Sequence, residues 1–161
     1  MGIRNAAKAI VLHGGKILLD QCYRENIGKF FTLPGGGQHQ YETMEAAVVR
    51  ECLEETGYTV VPEAFVALYE EIHTSDFMRQ LHPDYAHRIF HIFRCSLADV
   101  PKVAPSEEDG GQTGSVWIDV NQTASLNILP AHIGENMSAL IHATCPLYLG
   151  THFLKERSSD A

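Results

Sequence analysis

The amino-acid sequence predicts an α/β fold, with one mixed β-sheet and helices packed on its faces. Three observations indicate this fold class. Short apolar runs typical of strands lie before and after a helix-forming segment at residues 43–56, helical spacing returns after residue 130, and no repeat or linker divides the chain. The length of 161 residues is that of one domain. We therefore expect a single domain over residues 1–154, followed by a disordered tail at residues 155–161.

The first predicted element is a β-hairpin. Apolar runs at residues 6–12 and 16–22 flank the sequence His13-Gly14-Gly15, and the paired glycines suit a tight turn that needs positive φ. A glycine-bearing stretch then leads to Gly37.

The second predicted element is a helix at residues 43–56. Thr43 is a suitable N-cap because its hydroxyl can accept a hydrogen bond from the first turn, and Gly57 fits the left-handed position after the last turn. The apolar stripe of this helix consists of Met44, Ala47, Val48 and Cys52.

Extended segments follow the helix. One runs over residues 59–69, a second strand is expected at residues 87–97, and a third at residues 115–120. Polar loops are expected between them, at residues 73–86 and 98–114.

The last predicted element is a helix that begins at Pro130 and ends before Pro146. The residues at helical spacing within it are Ile133, Met137, Leu140 and Ile141.

Composition and charge exclude several classes of function. The chain is 45% hydrophobic and 20% charged, and no apolar run approaches the roughly 20 residues that a membrane span needs. The net charge of −8, without a Lys/Arg cluster, argues against nucleic-acid duplexes and anionic membranes as partners. The four cysteines are widely spaced, which predicts reduced thiols rather than a disulfide framework. Because the N-terminus also lacks a secretory signal, we expect a cytoplasmic protein.

Three carboxylates and one guanidinium are expected on one face of the first helix. They belong to Arg50, Glu51, Glu54 and Glu55, which at about 100° per residue fall within an arc about 140° wide. Like charges at Glu51 and Glu55 destabilise a helix by a few tenths of a kcal/mol, and acids in the last turn oppose the helix dipole. A cation compensates both penalties, and Mg²⁺ prefers carboxylate, water and phosphate oxygens. The patch therefore predicts a Mg²⁺ site, with an ordinary solvated helix face as the alternative.

The surrounding segment resembles the Nudix box, whose pattern is G-x5-E-x7-R-E-U-x-E-E-x-G-U, with U a bulky aliphatic residue. Its charged and glycine positions are matched by Gly36, Glu42, Arg50, Glu51, Glu54, Glu55 and Gly57. Cys52 and Tyr58 replace aliphatic residues. His39 and Tyr41 stand where many members carry Glu and Gly, so this loop is expected to differ in shape and to bind substrate. The resemblance implies an α/β/α sandwich.

The resemblance also implies a Mg²⁺-dependent hydrolase that cleaves the diphosphate linkage of a nucleoside diphosphate joined to another group X. Mn²⁺ would be a substitute for Mg²⁺. The implied metal ligands are the carbonyl of Gly36 and the carboxylates of Glu51, Glu54 and Glu55. Arg50 would hold the carboxylates by ion pairs, and Glu42 would support the loop. The catalytic candidates in the box are Glu51, Glu54 and Arg50, with Glu51 acting as ligand, base or both.

A further acid is expected from the loop before the third strand, because Nudix enzymes often supply one from this position. Among residues 107–109 we favour Glu108 as a general base, since Gly110 and Gly111 give the loop freedom to move. A solvated loop tip is the alternative.

Substrate contacts outside the box are expected from a few histidines and aromatic residues. His82 and His87 are candidates to contact a base or phosphate, and Tyr23 and Tyr85 are candidates to stack on a nucleobase. The substrate is expected to be a small nucleotide diphosphate, of a subfamily that no downstream motif identifies. A homodimer is compatible with the sequence.

Two other functions stay open beside the hydrolase. One is a non-catalytic Nudix-like domain that binds nucleotides as a sensor, and the other is a Nudix-fold enzyme with different chemistry, such as an isomerase. The complete set of Glu51, Glu54 and Glu55 favours the hydrolase, because a binding domain has no need for both ligands and base.

Overall fold

The computed structural model describes residues 2–106 and 111–155. In these residues seven strands form a sheet in the order β3-β2-β1-β5-β4-β7, with β6 also paired to β2. The strands are β1 (Arg4–His13), β2 (Lys16–Arg24), β3 (Gly28–Thr32), β4 (Val60–His73), β5 (His87–Leu97), β6 (Gln112–Asp119) and β7 (Leu147–Leu154). The helices are α1 (Met44–Thr56), α2 (Asp76–Leu81), α3 (Ala131–Glu135) and α4 (Met137–His142), and a 3₁₀ helix spans Val120–Ser125. Strands β1 and β5, and β4 and β7, pair in parallel and the others antiparallel, so the predicted mixed sheet is confirmed.

The predicted hairpin is confirmed. Strands β1 and β2 pair antiparallel, with Leu12 opposite Ile17. The turn between them has φ values of 56° at Gly14 and 75° at Gly15, a left-handed conformation that glycine adopts without strain.

The predicted first helix is also confirmed. The hydroxyl of Thr43 accepts a hydrogen bond from the backbone N–H of Ala46 at 3.1 Å. At the other end, Gly57 has φ 73° and its N–H donates to the carbonyl of Leu53. Three of the four stripe residues are fully buried, whereas Met44 is partly buried.

The strands after α1 correspond closely to the predicted segments. β4 runs without a break through Pro62, next to an irregularity in its pairing with β5, where a missing N–H is tolerated. β5 has the predicted bounds. β6 begins at Gln112, three residues earlier than expected, and the expected loop at 73–86 contains α2.

Strands β3 and β7 were not predicted, and the predicted C-terminal helix is longer than either helix in that region. β3 is short, and its buried residues Phe30 and Phe31 give no alternating pattern. β7 is held by parallel pairing to β4, which lies about 80 residues earlier in the chain and leaves no local signal. The predicted C-terminal helix is instead two short helices, α3 and α4, interrupted at Asn136.

Two apolar clusters cover the two faces of the sheet. On one face, α1 packs against β1, where Ala7 and Ala9 are fully buried and allow a close approach. On the other face, α3 and α4 contribute Ile133, Met137 and Leu140 to the larger cluster. This is the expected α/β/α sandwich.

The expected tail falls, except for Lys155, outside the described residues. Within the described residues, no helix is long and apolar enough to cross a membrane.

Candidate active site

Arg50 holds three carboxylates at the start of the candidate site. Its Nε and one terminal nitrogen donate to the two oxygens of Glu42 at 2.8 and 2.9 Å. The other terminal nitrogen donates to Glu51 at 2.8 Å and to Glu54 at 3.0 Å. Arg50 also donates to the carbonyl of Gly37 at 2.9 Å. These charge-assisted bonds fix the positions of Glu51 and Glu54 relative to the loop at residues 33–43, between β3 and α1, which we call the glycine loop.

Glu42 joins this loop to the helix. Its carboxylate accepts a hydrogen bond from the backbone N–H of His39 at 2.9 Å, and its carbonyl accepts one from the Gln38 side chain at 2.6 Å. The hydrogen bonds from Arg50 are the main cause that lowers the pKa of Glu42 to about 2. Glu42 is therefore ionised throughout the ordinary pH range.

Gly36 lies directly against the carboxylate of Glu51. A Cβ at position 36 would come within 2.6 Å of the Glu51 carboxyl carbon, so a side chain there would displace the carboxylate. The carbonyl of Gly36 accepts a hydrogen bond from the N–H of Ala7 at 2.9 Å. A carbonyl oxygen has two lone pairs, so one remains for another partner.

Glu55 is placed differently from Glu51 and Glu54. Only 5% of it is exposed, and its carboxyl accepts a hydrogen bond from the N–H of Gly35 at 2.7 Å. Burial is the main cause that raises the pKa of Glu55 to about 9, and the neighbouring Asp20 raises it further. The expected single patch of three carboxylates is thus divided, because Glu55 lies at the edge of the helical arc and turns into the core.

Asp20 is a buried acid that sequence analysis did not identify as part of the site. It is 2% exposed and accepts hydrogen bonds from the hydroxyl of Ser115 at 2.7 Å and the amide of Gln112 at 3.2 Å. Gln112 also donates to the carbonyl of Glu55. The available signal was a charged residue inside the apolar run 16–22, where a strand would bury it.

Lys8 is a second residue near the site that sequence analysis did not identify. Its ammonium group donates to the carbonyl oxygens of Leu33 and Gly35, beneath the glycine loop. Its charge acts on Glu55 in the direction that lowers the pKa, against the effect of burial. A lysine within the apolar run 6–12 was the signal in the sequence.

The residues expected to bind substrate are spread over the molecule. Tyr41 lies in the glycine loop with φ 69°, unusual for a residue other than glycine, and is 97% exposed. His39 is in the same loop. His87, at the start of β5, bonds to Glu70 at 2.7 Å and lines a cavity of about 410 Å³ that no described box residue lines. Glu108 lies outside the described residues.

The donor set fits a hard divalent cation in chemical type. Glu51, Glu54 and the carbonyl of Gly36 offer oxygen atoms, which Mg²⁺ and Mn²⁺ prefer. A cation would also favour the ionised form of Glu55, whose carboxyl burial keeps protonated. In the described ranges, no three His, Cys, Asp or Glu side chains are grouped closely enough to hold an ion.

Comparison with known proteins identifies one family. The family model of the NUDIX domain matches residues 2–137. No curated protein gave a significant match.

Several solved structures share the fold. A NUDIX hydrolase from Nitrosomonas europaea has a TM-score of 0.70 at 17% identity, covering 88% of this chain and 89% of that one. A UDP-X diphosphatase has a TM-score of 0.65 at 17% identity, covering 94% and 68%. An ADP-ribose pyrophosphatase from Streptococcus suis has a TM-score of 0.60 at 20% identity, covering 95% and 100%. At these identities the likeness establishes the fold.

Proposed function

The chain belongs to the Nudix family of pyrophosphohydrolases, and on that premise we propose that it hydrolyses the diphosphate linkage of a nucleoside diphosphate joined to a group X, with Mg²⁺ as cofactor. One observation carries the proposal. A single guanidinium, that of Arg50, holds Glu51 and Glu54 beside the backbone of Gly36. Both carboxylates keep some exposure to solvent, 14% and 26% of the side chain, and so are accessible to a bound ion.

The residues proposed to hold Mg²⁺, or Mn²⁺ in its place, are the carbonyl of Gly36 and the carboxylates of Glu51, Glu54 and Glu55. When bound, the ion would neutralise diphosphate charge and make water a better nucleophile. Arg50 would keep Glu51 and Glu54 oriented throughout the reaction.

In the proposed reaction a water molecule attacks phosphorus, the new P–O bond forms, and the bond to the bridging oxygen breaks. A carboxylate accepts the proton of the water. Glu108 and Glu51 are the two proposed bases. Glu55 is a poor base in the protein without metal, because its raised pKa keeps it protonated at neutral pH.

The test is a panel of ADP-ribose, sugar nucleotides, dinucleoside polyphosphates and nucleoside triphosphates, assayed with Mg²⁺, Mn²⁺ or a chelator. We expect hydrolysis of at least one compound with metal and none with chelator. Glu54→Gln should lower kcat by 10²-fold or more, the range for loss of a positioned catalytic group. The matched control is Glu45→Gln, an exposed acid in the first turn of α1, which should keep the wild-type rate.

Full turnover by folded Glu54→Gln, or equal turnover with chelator, would contradict the proposal. A nucleotide-binding domain without catalysis would instead show a thermal shift with nucleotide and no product from any compound in the panel.

A further inference from the structure

A second cationic group, besides that of Arg50, lies against the glycine loop. The guanidinium of Arg4, at the start of β1, lies against Gly37: a Cβ on that glycine would be 2.7 Å from the guanidinium carbon. The carbonyl of Gly37 in turn accepts a hydrogen bond from Arg50. Gly37 therefore connects Arg4 to the box, one residue from the proposed ligand Gly36.

The charge of Arg4 has no carboxylate partner in the described part of the chain. Its contact is with the ring of Tyr85, whose centroid lies 4.8 Å from the guanidinium carbon. Arg4 itself is only partly buried, so this contact leaves part of its side chain accessible to solvent. A cation–π contact holds the guanidinium in place without neutralising it.

A second arginine stands beside Arg4 in the sheet. Arg4 and Arg88 are direct partners in the parallel pairing of β1 with β5, so their side chains lie on the same face. Arg88 forms an ion pair with Glu71, which is 3% exposed and also accepts a hydrogen bond from Tyr69. Arg4, Arg88 and Glu71 together carry a net positive charge at the N-terminal ends of β1 and β5.

Arg88 also carries an unsatisfied donor. Its Nε is buried and has no hydrogen-bond partner among the described residues. Native proteins rarely retain a buried N–H without a ligand or water that accepts its hydrogen bond. The unpartnered Nε of Arg88 and the charge of Arg4 are independent observations, and one anionic group bound between the two side chains would suit both.

We propose that Arg4 and Arg88 form a phosphate-binding subsite for the substrate phosphate that is not attacked, with Tyr85 as the residue that positions Arg4. This inference rests on the proposed function, which places the attacked phosphate at Glu51 and Glu54. A diphosphate has two phosphoryl groups one bridging oxygen apart, and the guanidinium groups of Arg4 and Arg50 both lie next to Gly37. The guanidinium fork suits phosphate oxygens better than a lysine ammonium would.

Arg4→Ala tests the subsite, because Arg88→Ala would leave Glu71 buried without its partner and risks unfolding. The probes are α,β-methylene-ADP and methylenediphosphonate, whose P–C–P links resist hydrolysis, both titrated by calorimetry with Mg²⁺. We expect Kd to rise at least 10-fold in Arg4→Ala, as for loss of a charged hydrogen bond. Arg4→Lys should lose less, and Tyr85→Ser should lose affinity while Tyr85→Phe keeps it.

Lys16→Ala is the control. It removes one positive charge from an exposed side chain that lies opposite His13, at the other end of β1 from Arg4. Its Kd should equal that of the wild-type protein. In a turnover assay Arg4→Ala should raise KM more than it lowers kcat, and thermal melting should show that the variant is folded.

The subsite is refuted if folded Arg4→Ala binds both probes as tightly as wild type, if wild type binds neither, or if Lys16→Ala loses as much affinity. Because the probes are not hydrolysed, the two proposals separate. Arg4-dependent binding without turnover of any substrate would remove the proposed function alone, whereas Mg²⁺-dependent turnover with a KM insensitive to Arg4 would remove the subsite alone.

Discussion

At the scale of single residues, chemically identical side chains in the site have different pKa values because their surroundings differ. Glu42 and Glu55 are both glutamates of the box, yet hydrogen bonds from Arg50 lower the pKa of the first to about 2 while burial raises the pKa of the second to about 9. The motif specifies the residue type at each position. The partner and the exposure of each side chain decide its charge.

The lowered pKa of Glu42 predicts a pH dependence of stability. Its folded pKa of about 2 lies below the usual 4.5, so ionised Glu42 stabilises the fold above pH 4.5, and that contribution disappears as the pH falls toward 2. After allowance for solvent screening we expect about 1–2 kcal/mol. The free energy of unfolding should be higher for wild type than for Glu42→Gln at pH 7, and the difference should shrink at pH 3. A difference independent of pH would contradict the ion pair with Arg50.

At the scale of elements, α1 ends at Gly57, which contacts Val103 in a loop more distant along the chain. Gly57 has φ 73°, and a Cβ there would overlap the backbone carbonyl of Val103. The N–H of Val103 donates to the carbonyl of Gly57 at 2.9 Å. The end of the helix that carries the box is therefore fixed both by local cap geometry and by tertiary contact.

Gly57→Ala should cost about 2–3 kcal/mol, because it combines left-handed strain of about 1–2 kcal/mol with a steric overlap. The matched control is Gly15→Ala, which has a similar φ of 75° but open space where the methyl group would lie. It should cost only the strain. Chemical unfolding of both variants measures the difference, and equal losses would show that the Val103 contact has no energetic weight.

At the scale of the whole molecule, the sandwich buries three of its four thiols. Cys22, Cys52 and Cys95 are buried, and burial is the main cause that raises the pKa of each of them. Cys145, between α4 and β7, is exposed. Thiolate is the reactive form, so both access and pKa protect the buried cysteines.

A thiol reagent should therefore modify one cysteine in the native protein and four after denaturation. Cys145→Ser should abolish the fast native reaction and leave the denatured count at three. Rapid labelling of a second thiol under native conditions would show that the structure around Cys22, Cys52 or Cys95 opens more readily than the burial of these side chains indicates.

Much of the site was determined by local sequence. The spacing of Arg50 and Glu54 allows their ion pair, since residues four apart lie on the same helical face. Glu51 is adjacent to Arg50 in the chain and bonds to the same terminal nitrogen. Thr43 and Gly57 mark the ends of that helix through cap chemistry within one turn. Gly14 and Gly15 determine the hairpin in the same way. In each case the deciding interactions join residues close in sequence.

Tertiary structure decided the groups that surround the box. Lys8 and Asp20 reach Glu55 from two strands, and Arg4 reaches Gly37 only because β1 pairs with the glycine loop at Ala6. β7 joins the sheet through a parallel partner about 80 residues away. Hydrophobic periodicity shows which face of an element is buried, but not which element will cover it. The charge state of Glu55 depends on its burial by other elements, and the lack of a carboxylate partner for Arg4 among the described residues depends on its tertiary position, so only the folded chain determines both.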